Sequence, residues 1–102
     1  MTHVKITVLR RMSNPDLYAE YCQSDHVPPC AAFTEGQEFI VQWNRCPKGF
    51  CSWAWKDIQP GLVTLLSGGS FSKGWMKDAN TLISCCTDGI QPVVFKLERI
   101  ED

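Results

Sequence analysis

The sequence has no long apolar run and almost no net charge, and both absences exclude classes of function. No stretch approaches the roughly 20 consecutive apolar residues of a membrane-spanning helix. The formal net charge is −1, from 10 basic and 11 acidic residues in a chain of 102. The charges of both signs are interspersed, so the chain lacks the basic face expected of a protein that binds nucleic acid or an anionic membrane. We therefore expect neither nucleic acid nor a membrane among its partners.

Motifs that would identify an enzyme class are also missing. The sequence has no Ser-His-Asp order, no paired-carboxylate motif and no dinucleotide fingerprint. The glycine pair within residues 67–70 lacks the Gly-x4-Gly-Lys pattern of a phosphate-binding loop and indicates a helix end instead. Residues 1–9 alternate like a strand and lack the apolar segment of a signal peptide, so we expect a cytoplasmic protein.

What the sequence does contain is cysteine. The six cysteines are Cys22, Cys30, Cys46, Cys51, Cys85 and Cys86. They could be disulfide staples, metal ligands, reactive thiols or small core residues. In a reducing cytoplasm all six are expected to be reduced, whereas a secreted chain that had lost its leader would use them as disulfides. A bridge between the neighbours Cys85 and Cys86 is disfavoured because it would strain the peptide.

Four segments have the character of strands. The alternating apolar positions are Val4, Ile6 and Val8 in the first strand and Phe39, Val41 and Trp43 in the second. Residues 81–87 and 93–99 are the other two, and Asp88-Gly89 between them is a strong hairpin turn signal. We therefore expect the chain to end in a β-hairpin.

Two helices are expected between these strands. The Asn-Pro-Asp sequence at residues 14–16 favours a helix start, with Leu17 and Tyr21 stacked on the core side of that helix. A second helix is expected from Ser52, with a kink or a restart at Pro60 and an end at the glycine pair. The order β-α-β-α-β-β predicts one α+β domain over residues 1–102. Its small, mostly antiparallel, partly curled sheet would have the helices packed on it.

Cys51 is the strongest candidate for a reactive thiol. It precedes or begins the second helix, where backbone amides and the helix dipole favour a thiolate. Cys86 is the second candidate nucleophile, with Asp88 or His26 as the acid or base that would assist. The alternative is that Cys51 is simply a small buried residue, that Asp88 only forms a turn and that His26 is solvated.

A metal site is a further interpretation of the same residues. Its ligands would come from Cys30, Cys51, Cys85 and Cys86, with His26 or Asp88 as a supplementary donor, and would suit zinc or iron. The spacing does not favour this interpretation, because the sequence has no Cys-x2-Cys pair.

These candidates are expected to share one pocket. The turn at Asp88 is expected to bring Cys85, Cys86 and Asp88 together at one end of the hairpin. Cys51 begins a helix, and Cys30 lies in a loop, where functional residues concentrate. We therefore expect Cys30, Cys51 and one of the two hairpin cysteines to converge. The ligand-binding edge would be formed by Trp53 or Trp55, with His26 nearby.

Three segments carry distinctive combinations of cysteine, glycine and aromatic residues. They read Cys-x-x-Phe-x-x-Gly-Gln-x-Phe at 30–39, Gly-Phe-Cys-Ser-Trp-Ala-Trp-Lys-Asp-Ile at 49–58 and Cys-Cys-Thr-Asp-Gly-Ile-Gln-Pro-Val-Val-Phe-Lys-Leu at 85–97. They resemble the motifs of a family of short, single-domain, cysteine-containing prokaryotic proteins of unknown function. The resemblance covers nearly the whole chain and implies a stand-alone domain, but it implies no activity.

The resemblance also separates the cysteines. Those that match the motifs, together with the matching acid, are Cys30, Cys51, Cys85, Cys86 and Asp88, whereas Cys22 and Cys46 lie outside them. The chain departs from the pattern at Ala31, where the family has proline, and at Gln91, where it commonly has arginine. An anion-binding role for that arginine is therefore not carried over to this chain.

Three functional hypotheses follow. The first is a small cytoplasmic protein whose cysteine-centred pocket binds a metal ion or a small ligand. The second is a small enzyme that uses Cys51 or Cys86 as nucleophile or acid/base, with Asp88 or His26 assisting. The third is a homo-oligomeric interaction module, a dimer by preference, because four tryptophans are more than a small core needs.

Overall fold

The computed structural model describes residues 1–23 and 30–101. Its elements are β1 (Thr2–Arg11), α1 (Pro15–Tyr21), β2 (Glu38–Val41), α2 (Ser52–Leu66), β3 (Thr81–Cys85) and β4 (Val93–Glu101). The predicted α+β class and the order β-α-β-α-β-β are thereby confirmed. His26 was predicted to be a site residue and lies outside the described residues.

The four strands form one open antiparallel sheet in the order β2-β1-β4-β3. The two long strands β1 and β4 lie at the centre, and the register between them shifts between Val8 and Arg10. Val4, Ile6 and Val8 are buried, as their alternation predicts. The centre of the sheet therefore supplies the floor of the core.

Helix α2 covers one face of the sheet and contacts β3, β1 and β4. Its buried side chains are Ala54, Ile58, Leu62 and Leu65. The helix continues through Pro60 without the expected restart, because the apolar stripe is anchored to the sheet on both sides of the proline. Gly61 allows a close approach to β3, since a β-carbon there would overlap the side chain of Leu82. The expected helix end is confirmed at Gly68, which has a φ of +90°.

Arg99 fastens the carboxyl end of α2 to the sheet. Its guanidinium donates to the carbonyl oxygens of Leu65 at 2.8 Å and Gly69 at 2.6 Å. It also donates to the Ala79 carbonyl oxygen and to Asn80 Oδ1, both at 3.0 Å. A cation at a helix carboxyl end is favourable, because the last carbonyl groups carry partial negative charge.

Four phenylalanines close one end of the core. Phe33 has edge contacts with Phe39, Phe50 and Phe95 at centroid distances of 6.0, 5.0 and 5.1 Å. Trp55 adds a further edge contact with Phe50 at 6.2 Å. This cluster supports the segment that carries Cys51 and fixes the position where α2 begins.

Two predicted orientations are wrong. Leu17 and Tyr21 are 41% and 74% exposed, because α1 buries none of its residues. That helix is tied to the fold at its start, where the side chain of Asn14 donates to the Gly89 carbonyl oxygen at 2.6 Å instead of capping the helix. Trp43 does not share a face with Val41, because β2 has ended and Trp43 adopts a φ of +58°.

The final hairpin is shorter on one side than predicted. Strand β3 ends at Cys85, although the amide of Cys86 still donates to the Val93 carbonyl oxygen at 3.1 Å. Within the described ranges, neither helix has the length and apolar character needed to cross a membrane.

Candidate functional site

Cys30, Cys51 and Cys86 line one cavity of about 60 Å³, although they come from three separate parts of the chain. We call it the cysteine cavity. Its remaining lining residues are Phe33, Trp53, Ala54, Asp88, Gln91 and Val93. The predicted convergence of Cys30, Cys51 and one hairpin cysteine around a pocket edged by a tryptophan is confirmed.

Cys86 is the buried thiol of the three. Its side chain lies where β3 has ended but pairing with β4 continues. The backbone amide of Val93 donates to Cys86 Sγ at 3.3 Å, and the amide of Cys86 donates back to the Val93 carbonyl oxygen. The sulfur therefore has a fixed position with one backbone donor already aimed at it.

Cys51 is half-buried and occupies the N-cap of α2. The predicted location at a helix start is confirmed. Its carbonyl oxygen accepts the first helical hydrogen bond, from the amide of Trp55 at 2.9 Å. Its thiol makes no hydrogen bond with the first-turn amides, so the predicted amide contact is not made. The sulfur is consequently not engaged in capping.

Trp53 is held at the cavity edge by a polar network. Its Nε1 donates to Thr87 Oγ1 at 2.8 Å. The amide of Thr87 donates to Asp57 Oδ2 at 2.7 Å, and the Thr87 hydroxyl lies within 3.1 Å of both Asp57 oxygens. Trp53 and Asp57 are one helical turn apart on α2, so the network joins that turn to the loop that carries Cys86. Sequence reasoning missed both Thr87 and Asp57, because their partnership depends on how the helix lies over the hairpin.

Asp88 forms the predicted turn. Its Oδ1 accepts the amides of Ile90 at 2.9 Å and Gln91 at 3.1 Å, which is the hydrogen bonding of an Asx turn. Asp88 is also one of the residues that line the cysteine cavity. The turn therefore determines the position of Asp88 at the cavity.

Two of the predicted site residues do not reach the cavity. Cys85 is exposed, because consecutive residues of a strand face opposite sides of the sheet and Cys86 takes the inward side. Trp55 packs against Phe50 and is not part of the cavity lining. Of the two pairs of alternatives, Cys86 and Trp53 therefore line the pocket, whereas Cys85 and Trp55 do not.

Among the described residues, no group of three or more His, Cys, Asp or Glu side chains is arranged to hold a metal ion. Of the expected zinc or iron ligands, Cys30, Cys51 and Cys86 line the cavity and Cys85 does not, whereas the supplementary donor His26 lies outside the described residues.

Cys46 is a neighbour of the site that sequence reasoning set aside. Burial and the nearby Cys51 thiolate raise the pKa of the Cys46 thiol. Its Sγ contacts the Pro47 carbonyl oxygen at 3.7 Å, and its side chain is exposed. The sequence signal is the Pro-Lys-Gly segment at residues 47–49, which is typical of a turn and lies between Cys46 and Cys51.

Comparison with known proteins adds no functional assignment. No protein-family model, no curated protein and no solved structure matches this chain.

Proposed function

We propose that this protein binds a small, thiol-reactive ligand in the cysteine cavity. The observation that supports this most directly is the convergence of Cys30, Cys51 and Cys86, from three distant parts of the sequence, on one cavity with Trp53 held at its edge. The free state of all six thiols supports the placement of this chemistry in a reducing compartment, the cytoplasm.

The size of the cavity limits the ligand. A volume of about 60 Å³ is far below the roughly 300–1,000 Å³ of pockets for drug-sized molecules. The cavity suits a group of a few non-hydrogen atoms, either a whole ligand or the reactive end of a larger one. Apolar walls from Phe33, Ala54 and Val93, with the carboxylate of Asp88 and the amide of Gln91, favour a neutral or weakly polar group.

Cys51 is the thiol that we assign to contact with the ligand. Cys86 Sγ already accepts the Val93 amide and is almost fully buried. Cys51 is half-buried, lines the same cavity and makes no capping hydrogen bond. In the enzyme version of this proposal, Cys51 is the nucleophile and Asp88 is the acid or base beside it.

Site-resolved labelling tests the assignment. The reduced protein is treated with iodoacetamide or with a maleimide attached to a polyethylene glycol chain, and each cysteine is quantified by mass spectrometry. For each cysteine, the labelling rate with iodoacetamide is divided by the labelling rate with the bulky maleimide. We expect this ratio to be at least about tenfold larger at Cys51 than at exposed Cys85. The reason is that the cavity admits only a few atoms.

A matched pair of variants controls this test. Cys85→Ser removes a thiol outside the cavity and is expected to leave the size selectivity of Cys51 unchanged. Ala54→Val narrows the cavity and is expected to slow iodoacetamide at Cys51 but not at Cys85. Equal size selectivity at Cys51 and Cys85 in the native protein would reject the proposal.

Self-association is a second candidate function, and the free edge of β3 favours it. The amide of Cys86 donates to the Val93 carbonyl oxygen, and the amide of Arg99 donates to the Asn80 carbonyl oxygen. In an antiparallel pair this pattern points the backbone N–H and C=O groups of the even-numbered β3 residues toward β4. The backbone groups of Ile83 and Cys85 therefore point outward. Charged residues and proline usually prevent an edge strand from pairing with another chain. The five residues of β3 include neither. We propose that a second copy of this chain pairs there, to form a homodimer.

A further inference from the structure

A tight turn separates Cys46 from Cys51. The amide of Phe50 donates to the Pro47 carbonyl oxygen at 3.2 Å, and Gly49 has a φ of +83°, which suits glycine. The α-carbons of Pro47 and Phe50, the first and last residues of such a turn, lie within about 7 Å of each other. Cys46 and Cys51 adjoin these two residues, and a disulfide needs α-carbons about 4.4–6.8 Å apart.

The raised pKa of the Cys46 thiol agrees with this proximity. The negative charge of the Cys51 thiolate is one of the two causes that raise the pKa of Cys46, the first being burial. Such an effect requires the two groups to be close. Cys46 is exposed and accessible to a soluble reagent, whereas Cys51 lies at the edge of the cysteine cavity.

We propose that Cys46 and Cys51 form a reversible disulfide that withdraws the Cys51 thiol from the cysteine cavity. The disulfide itself stands apart from the proposed ligand binding, and only its regulatory consequence rests on that function. The oxidant is a low-molecular-weight disulfide of the glutathione type, which is the chemical class that exchanges with protein thiols.

The exchange balances in two steps. The exposed Cys46 thiol loses its proton and attacks one sulfur of the small disulfide, so that a new S–S bond forms and one small thiolate leaves. The Cys51 thiol then loses its proton and attacks Cys46 Sγ, which releases the second small thiolate. The two protein thiols lose two electrons and two protons in total, and the small disulfide takes them up to become two thiols.

Trypsin makes the product directly observable. Cleavage after Arg45, Lys48 and Lys56 places Cys46 on the peptide 46–48 and Cys51 on the peptide 49–56. A disulfide between them appears as a linked pair of these peptides, which separates on reduction. We expect this pair in protein equilibrated with glutathione disulfide, together with at least about tenfold less iodoacetamide labelling of Cys51. Added dithiothreitol restores the labelling.

Two serine variants control the result. In Cys46→Ser we expect Cys51 to keep its iodoacetamide labelling in the presence of glutathione disulfide, because the exposed thiol needed for the first step is gone. In Cys22→Ser the linked pair forms as in the native protein. Since Cys46 is exposed, its replacement by serine leaves the core intact.

Three outcomes would overturn the proposal. They are the absence of the linked pair, a link from Cys51 to Cys30 or Cys86 instead, and persistent glutathionylation of Cys46 in the native protein. The disulfide map requires no ligand, so its failure is distinguishable from a failure of the size-selectivity test.

Discussion

At the residue scale, Thr87 joins the first turn of α2 to the loop that carries Cys86. Its hydroxyl accepts the Trp53 Nε1 hydrogen bond and lies beside both Asp57 oxygens. Thr87→Val removes the hydroxyl but keeps the shape of the side chain nearly constant. The indole of Trp53 and the carboxylate of Asp57 then lose their hydrogen bonds to that hydroxyl. We expect the free energy of unfolding to fall by about 1 kcal/mol, measured by urea denaturation.

Thr87→Ser is the control for this prediction, because it keeps the hydroxyl and both polar partners. The backbone bond from the Thr87 amide to Asp57 remains in both variants. If Thr87→Val and Thr87→Ser lower the stability equally, the loss belongs to the methyl group, and the network does not stabilise the site as argued.

The two causes of the raised Cys46 pKa can be separated experimentally. Burial acts on Cys46 with or without its neighbour, whereas the second cause needs the Cys51 thiolate. In Cys51→Ser that charge is absent, so Cys46 deprotonates at a lower pH than in the native protein. The pH at which Cys46 alkylation reaches half its maximal rate should therefore decrease, while Cys22→Ser leaves it unchanged. An unaltered midpoint in Cys51→Ser would mean that the two thiols are not close.

At the element scale, the contact of α2 with β3 depends on Gly61. A methyl group at this position would overlap Leu82, a buried residue of β3. Gly61→Ala gains roughly 1 kcal/mol of helix propensity, but overpacking of a core contact destabilises by about 1–3 kcal/mol. We expect a net loss of stability in thermal or urea unfolding.

A double-mutant cycle distinguishes these terms. In a Leu82→Ala background the overlap is gone and only the propensity gain remains, so Gly61→Ala should become neutral or stabilising there. A loss of equal size in both backgrounds would show that the two residues are not coupled.

The sequence predicts those elements whose pattern and burial agree. The alternation of Val4, Ile6 and Val8 identifies a central strand, because a buried face of a sheet enforces a period of two. The stacking of Leu17 and Tyr21 fails as a guide to the core, because an i, i+4 pair occurs on any helix and does not reveal whether another element lies opposite.

The same distinction applies to the site. Cys51 and Asp88 could be located from local signals, a helix start and a turn, and the structure brings both residues to the cysteine cavity. Alternation shows that Cys85 and Cys86 point to opposite faces of the sheet, but it does not show which of the two faces the core. That assignment needs the orientation of β3 in the structure, in which Cys86 is buried and Cys85 is exposed. The neighbourhood of Cys46 and Cys51 depends on the path of the turn between them, and composition gives no measure of that path.

At the scale of the whole molecule, the described residues place α2 on one face of the sheet and leave the sheet with two different edge strands, β2 and β3. The molecule extends 47 × 32 × 20 Å, and its smallest dimension corresponds to one layer of sheet and one layer of helix. On the sheet face opposite α2, Lys5 Nζ lies 3.6 Å from Glu38 Oε2 and 3.9 Å from Glu98 Oε1. The charges of Lys5 and Glu38 also disfavour pairing of another strand with the β2 edge, whereas β3 has no charged residue.

This asymmetry predicts a dimer through β3. Antiparallel pairing of two copies about a two-fold axis at Ile83 would extend the sheet, with both outward-facing backbone edges satisfied. We expect a dimer in sedimentation velocity at micromolar concentration. Ile83→Lys places a charge on the edge and should shift the protein to a monomer. Ile40→Lys, which alters an exposed isoleucine on the opposite edge strand β2, should leave the dimer intact. A native monomer, or equal effects of the two lysines, would reject pairing at β3.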